Sequence, residues 1–407
     1  MKRKILSDVA LNMFATFIPM FALQFFILPQ IALKIDANLY GQIIAIVALI
    51  NLSAGSLGSI LNNSRLIVFK KYDDLEIQGD FNIFLGIFVL LNILFMILGL
   101  MYYGQELDLL TIALLVLVSV LLLLRTYASV DFRIKLNFKY ILIDSILLFS
   151  GYAVGYIIFL ISGYWLFIYL CGFVFSFIFV LKKTKILREP FKKTQLFKKT
   201  ATQTLLLLGS GTLLSLGTYL DKLLLYPLLG GLTVSIYFTA TILGQSIALA
   251  IGPITGVLLS YLAQMKKFSN HSFHVLLTIS SIVGVIGYWL VILVSKPLLT
   301  IIYPQYAKEA LNYIHVTTLS IIIIIISNII NAVLLKFCGA KWQIFINGIY
   351  LVVYIAASMI LLNLYGLMGF CIGILIASIV KLVIMLVTYY TNNKKYDEQK
   401  IDLGVPT

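Results

Sequence analysis

Charge is scarce in this sequence: only 11% of its 407 residues are Asp, Glu, Lys or Arg. A soluble domain carries about 25%, so this chain cannot cover a water-facing surface. That excludes a soluble enzyme, a nucleic-acid-binding domain and a disordered chain. Cysteine is scarcer still, with Cys171, Cys338 and Cys371 all inside apolar sequence, which excludes a disulfide framework. No GxxxxGK[ST] loop occurs, so the chain is not itself an ATP-driven pump. There is no carboxylate pair, HExxH or Ser/His/Asp arrangement to suggest hydrolysis, and no short alternating segments of the kind that build membrane barrels. No catalytic residue and no metal ligand set is expected. His271 and His274 have helical spacing but sit in a short basic loop with too few further ligands for a metal.

What the sequence has in abundance is apolar length. Hydrophobic residues make up 61% and mean hydropathy is +1.04. Several runs are long enough to span a bilayer. The pattern predicts an all-α polytopic membrane protein with about twelve spans, at 9–33, 40–60, 81–103, 109–124, 140–161, 164–181, 201–229, 233–262, 275–294, 313–335, 344–362 and 367–390. The first span has no small-residue cleavage site behind it and is expected to be retained.

The charges that do occur are segregated. The net charge is +14, and with the N-terminus inside, the basic residues collect in cytoplasmic segments, as the positive-inside rule requires. Lys34, Lys296 and Lys308 fall outside, and Lys222 and Lys381 fall within spans. Both termini are therefore expected to be cytoplasmic. The densest basic stretch, 182–199, contains Pro190 and separates six spans from six, the plan of a duplicated transporter. The expected organisation is a six-helix lobe over 1–181, a basic cytoplasmic linker over 182–200, a second six-helix lobe over 201–392 and a cytoplasmic tail over 393–407. Pro29 before Tyr40 and Pro227 before Tyr237 form a faint echo between the halves. The longest outer segment, 295–312, is too short for the water-facing catalytic region of a typical extracellular sugar polymerase.

The segment LLSLGTYLDKLLLYPLLGGLTVSIYFTATILGQSIALAIGPITGVLLSYLAQ (213–264) resembles the seventh and eighth helices of Wzx-type polysaccharide flippases, members of the multidrug/oligosaccharidyl-lipid/polysaccharide exporter (MOP) superfamily. The matching features are Asp221 followed by Lys222, the turn at Gly230–Gly231, Tyr237 and Pro253. SKPLLTIIYPQYAKEAL (295–311) is similar to the family's loop between helices nine and ten, and LLNLYGLMGFCIGILIASIVKLVIM (361–385) to its last turn and helix. FILPQIALKIDANLYGQIIAIVAL (26–49) is similar to its opening, with Tyr40–Gly41 starting helix two. The resemblance implies a MOP/MATE-like fold: two pseudo-symmetric six-helix lobes rocking between inward-open and outward-open states around a cationic cavity. It implies transport of undecaprenyl-diphosphate-linked oligosaccharide across a bacterial cytoplasmic membrane for capsule, exopolysaccharide or O-antigen assembly. On that reading the protein is not an enzyme. It needs no cofactor, with H+ or Na+ coupling left open. Its partners are the lipid-linked oligosaccharide, membrane lipids and the polymerase and glycosyltransferases of the pathway, with no nucleic acid. The rivals are a cation-coupled multidrug exporter of the same superfamily, a membrane-embedded polymerase or ligase, and a scaffold.

A diphosphate headgroup needs cations inside otherwise apolar helices, and such residues are few. Arg65, Lys222 and Lys381 are the leading candidates for substrate contact, with Arg125 and Arg133, flanking Asp131, as an entry site. Each has a plainer alternative: an interfacial anchor for Arg65, snorkelling for the lysines and topological charge for the rest. Asp221 and Asp144 are the candidates for ion coupling. Asp144 is expected in the first turn of helix five, where the dipole favours a carboxylate. Neighbours on a helix point about 100° apart, which predicts a separate partner, or water, for each of Asp221 and Lys222. Pro19, Pro29, Pro227 and Pro253 are expected to act as hinges. Trp165 and Trp342 fit interfacial belts.

Overall fold

A computed structural model describes residues 2–104, 107–265, 269–338 and 340–402. The side chains of Lys2, Arg3, Lys4, Pro253, Lys266, Lys267, Lys394, Lys395 and Lys400, which enter the topology and hinge expectations, lie outside that description. Among the described residues there is no strand. In lipid the protein must satisfy every backbone donor and acceptor itself, and a continuous apolar helix does so within its own segment.

Among the described residues, ten helices are long and apolar enough to cross a membrane. They are α1 (Ala10–Lys34), α2 (Ala37–Asp74), α3 (Asp80–Tyr103), α4 (Leu109–Ile134), α5 (Phe138–Ser162), α6 (Leu166–Lys183), α8 (Asn270–Ile302) and α9 (Pro304–Phe337), together with two longer ones. The longer helices are α7 (Phe197–Gln264, 68 residues) and α10 (Ala340–Asp402, 63 residues). At a rise of about 1.5 Å per residue each would reach about 95–100 Å, some three times the roughly 30 Å hydrocarbon core. Each is broken once, at Gly230 (φ 80°, ψ 173°) and at Gly366 (φ 59°, ψ −142°). Both conformations belong to regions that essentially only glycine visits. Each long helix is thus two limbs, which brings the spans to the expected twelve or so.

The prolines behave differently from the hinge expectation. Pro19 lies inside a helix, followed by a π-turn at Leu23–Ile27, and Pro29 opens the next stretch of α1. Pro227 is absorbed in α7, and the break falls three residues later. Proline's fixed φ near −65° is itself helical and removes one bond only, whereas each of the two long helices breaks at a glycine with positive φ.

The chain forms two compact bodies, Met1–Ser235 and Ile236–Thr407. The first takes in the basic linker and the first limb of α7. Within it the turn after α1 meets the turn inside α7: Ser235 Oγ donates to the Ala37 carbonyl at 2.8 Å and Leu232 N–H to Asn38 Oδ1 at 3.0 Å. A Cβ on Gly41 would lie 1.8 Å from the Gly231 carbonyl oxygen, so the approach requires glycine on both sides. The second body packs Phe273, Ile330, Val333, Met385 and Tyr389 into a core, where the Phe273 and Tyr389 rings stack at 3.7 Å.

Candidate functional site

Helix lengths decide where the candidate cations point. The expected second span ends at residue 60, but α2 runs to Asp74, so Arg65 is on the helix proper. Its guanidinium forks onto both carboxylate oxygens of Glu189, with Nη1 to Oε2 at 2.9 Å and Nη2 donating to Oε1. Nη1 also donates to the Tyr127 hydroxyl at 2.7 Å, and the Phe81 ring lies 5.0 Å beneath the guanidinium. Glu189 belongs to the linker, and no sequence expectation included it. The signal was present: it is the one acid among eight basic residues over 182–200.

The linker is bound at further points along the start of α3. Asp80 accepts from Thr194 N–H at 2.7 Å, from Thr194 Oγ1 at 2.5 Å and from the Tyr72 hydroxyl at 2.6 Å. Asn82 Nδ2 donates to the Glu189 carbonyl at 2.5 Å. Gly79, at φ 140°, leaves room for the Lys192 carbonyl, which a Cβ would meet at 2.4 Å. The segment is a strap docked on α2 and α3.

Arg125 is likewise helical, since α4 extends past the expected end at residue 124. Its Nη2 donates to Asp144 Oδ2 at 2.7 Å and its Nε to Ser176 Oγ at 2.6 Å, while Ser176 Oγ donates to Asp144 Oδ1. The triad ties α4, α5 and α6 together. Asp144 is therefore not a charge on the first helical turn: α5 begins at Phe138, and the carboxylate, in the second turn, is committed to a guanidinium. Arg133 is exposed and donates to the amide oxygens of Asn62 at 2.6 Å and Asn63 at 3.0 Å. Among the described residues it holds no ion pair. Asp131, itself buried, takes the exposed Lys135 at 2.6 Å.

Asp221 and Lys222, in the first limb of α7, do not keep to separate partners. Lys222 Nζ donates to Asp221 Oδ1 at 3.0 Å and Oδ2 at 2.8 Å, and both residues are buried, 6% and 7% exposed. The 100° offset of their Cβ atoms is overcome by the four-carbon lysine stem, which curls back over its neighbour. Burial favours that closure, because an unpaired charge there is costly.

Lys381, in the second limb of α10, differs from all of these. It is 4% exposed, with Nζ 4.9 Å from the Tyr350 ring centre and, among the described residues, no carboxylate in ion-pair range. Tyr350 stacks on Tyr354 at 5.9 Å, and Tyr354 meets Phe370 edge to face at 6.3 Å. Cation and aromatic faces therefore share one wall, formed by the two limbs of α10 and made possible by the break at Gly366. Among the described residues no group of three or more His, Cys, Asp or Glu side chains is placed to hold a metal.

No family model matches the sequence, and no curated protein sequence matches it either. Solved structures do match. An inward-facing multidrug-resistance MATE transporter of the MOP superfamily aligns with a TM-score of 0.70 at 12% identity, covering 96% of this chain and 99% of that one. The lipid II flippase MurJ, in an inward closed conformation, aligns at 0.68 and 15% identity over 95% of this chain and 86% of its own. The eukaryotic MATE transporter AtDTX14 aligns at 0.66 and 15% identity over 98% of both. At such identities the likeness speaks to fold alone: the chain is an all-helical, multi-pass membrane protein with a fold like that of these MOP-superfamily transporters.

Proposed function

We propose that this protein is a flippase for a lipid-linked oligosaccharide, moving an undecaprenyl-diphosphate-borne glycan from the cytoplasmic to the outer leaflet of a bacterial inner membrane by alternating access. The observation that carries the proposal is Lys381: a cation buried against the Tyr350 ring, with no carboxylate of the described chain in ion-pair range. An isolated ionised group in a dry, low-dielectric medium costs on the order of tens of kcal/mol by idealised estimates. A diphosphate headgroup thus requires a compensating cation on its path, and Lys381 in turn requires an anion or water. The polyprenyl tail, at about 0.8 kcal/mol per CH₂, stays in lipid. Lys222, Arg65, Arg125 and Arg133 are secondary candidates, the first three already matched to carboxylates. Asp221 is the candidate for H+ or Na+ coupling, with Asp144 behind it. Glycosyltransferases and a polymerase would supply and consume the substrate, and both termini would lie in the cytoplasm.

The multidrug-export reading draws on the MATE transporters among the structural neighbours. Against it, the carboxylates Asp144 and Asp221, which a cationic drug would need, are held by Arg125 and Lys222. The deciding experiment uses the full chain in proteoliposomes carrying fluorescent undecaprenyl-diphosphate oligosaccharide, with headgroup accessibility as the readout. Lys381→Met should slow flipping by about ten- to a hundredfold, the scale of one lost charged contact, and Lys381→Arg should retain part of the rate. Wild-type flipping by Lys381→Met overturns the assignment. Ethidium export by the wild type with no lipid movement would establish the rival.

A further inference from the structure

The strap presents a different arrangement from Lys381. A guanidinium binds carboxylate and phosphate through the same planar fork. At Arg65 that fork is filled from within, by the single acid of a strongly basic segment. The site around it is built for an anion: the guanidinium sits on the Phe81 ring, the Tyr127 hydroxyl accepts from Nη1, and the Arg65 and Glu189 side chains are only 12% and 11% exposed. Replacing one anion with another at such a fork leaves Arg65 compensated and returns Glu189 to water, where a carboxylate is well solvated. Breaking the pair with no replacement would strand a buried charge. The strap therefore has a reason to stay docked at rest and a route to release when a competing anion arrives.

We propose that Glu189 is an internal competitor that keeps Arg65 closed, and that a phosphate-bearing group opens the site by taking the carboxylate's place. The class of ligand is a diphosphate, borne by a lipid or free. The proposal deepens the flippase reading at a second residue. It is measured by binding without transport, so its failure leaves the Lys381 experiment standing, and the reverse holds too.

The test is equilibrium binding to the full chain in neutral phosphatidylcholine nanodiscs, with inorganic pyrophosphate as one probe and undecaprenyl diphosphate in the disc as the other. Removing the competitor in Glu189→Gln should tighten binding of the accepted probe about tenfold, within the usual range of coupling between linked equilibria. The reversed pair, Arg65→Glu with Glu189→Arg, should keep the thermal midpoint of the wild type because the strap stays docked, yet lose the probe. A Glu189-dependent gain with pyrophosphate identifies a site for the free anion, and a gain with the lipid alone identifies a headgroup site. Equal affinity of wild type and Glu189→Gln for both probes overturns the proposal. So does a reversed pair that keeps its thermal midpoint and binds as the wild type does.

Discussion

Arg125 and Asp144 are nineteen positions apart in sequence and 2.7 Å apart in space, and removing either charge should expose what the pair does. Asp144→Asn preserves shape but leaves Arg125 buried against a neutral amide, and breaking a buried pair from one side costs about 3–5 kcal/mol. The double change Arg125→Met with Asp144→Leu removes both charges and should recover most of that loss. Thermal unfolding of purified protein in detergent checks both. A wild-type midpoint for Asp144→Asn would mean that water already screens the pair. Individually these residues stand out in the sequence, because charges inside apolar runs are conspicuous. Their pairing is not legible, because it depends on the register between α4 and α5. The same limit explains Glu189: its isolation among basic residues can be seen in the sequence, but its partner on α2 lies more than a hundred residues away. Lys222 fails for another reason. A Cβ direction says little about where the end of a flexible four-carbon stem will settle.

At the scale of the element, the breaks inside the two long helices rest on two glycines. Ala at position 230 or 366 would have to occupy positive φ, at a cost of about 1–3 kcal/mol each. At neither position does a Cβ meet any atom within 4 Å, so any loss reports backbone strain and not crowding. Gly209 provides the control: it is helical, and its Cβ also meets nothing within 4 Å. Gly209→Ala should therefore be neutral or slightly stabilising. Unfolding midpoints in an SDS titration would show the contrast, and equal midpoints for all three variants would remove the strain argument. The helices themselves are the most legible part of the sequence, since apolar length is a one-dimensional quantity. Their ends are less so. Arg65 and Arg125 look like loop residues by hydropathy, yet they continue their helices because interior partners satisfy them. The hinge expectation favoured proline because it breaks a hydrogen bond, but the two long helices break where a glycine takes positive φ.

For the molecule as a whole, the broken helices make a claim about sidedness that can be checked independently of any substrate. With the N-terminus inside, six crossings leave the strap in the cytoplasm. If α7 crosses twice, out to Gly230 and back, then Ser269 lies in the cytoplasm. If α7 crossed once, Ser269 and every later loop would change sides, moving Lys296 and Lys308 into the cytoplasm and Lys336 and Lys341 out of it, against the charge pattern. Ser269 and Ser162 are both exposed at helix ends, so each can carry a reporter thiol in a background in which Cys171, Cys338 and Cys371 are replaced by serine. A membrane-impermeant maleimide applied to intact cells should label Ser162→Cys, at the outer end of α5. It should label Ser269→Cys only after permeabilisation. Labelling of both from outside would make α7 a single crossing and would move the strap's sequel, with its basic loops, to the wrong side of the membrane. Labelling of Ser162→Cys from outside and Ser269→Cys from inside places a return passage between strap and Ser269, and Gly230 is the residue in α7 whose backbone makes that return possible.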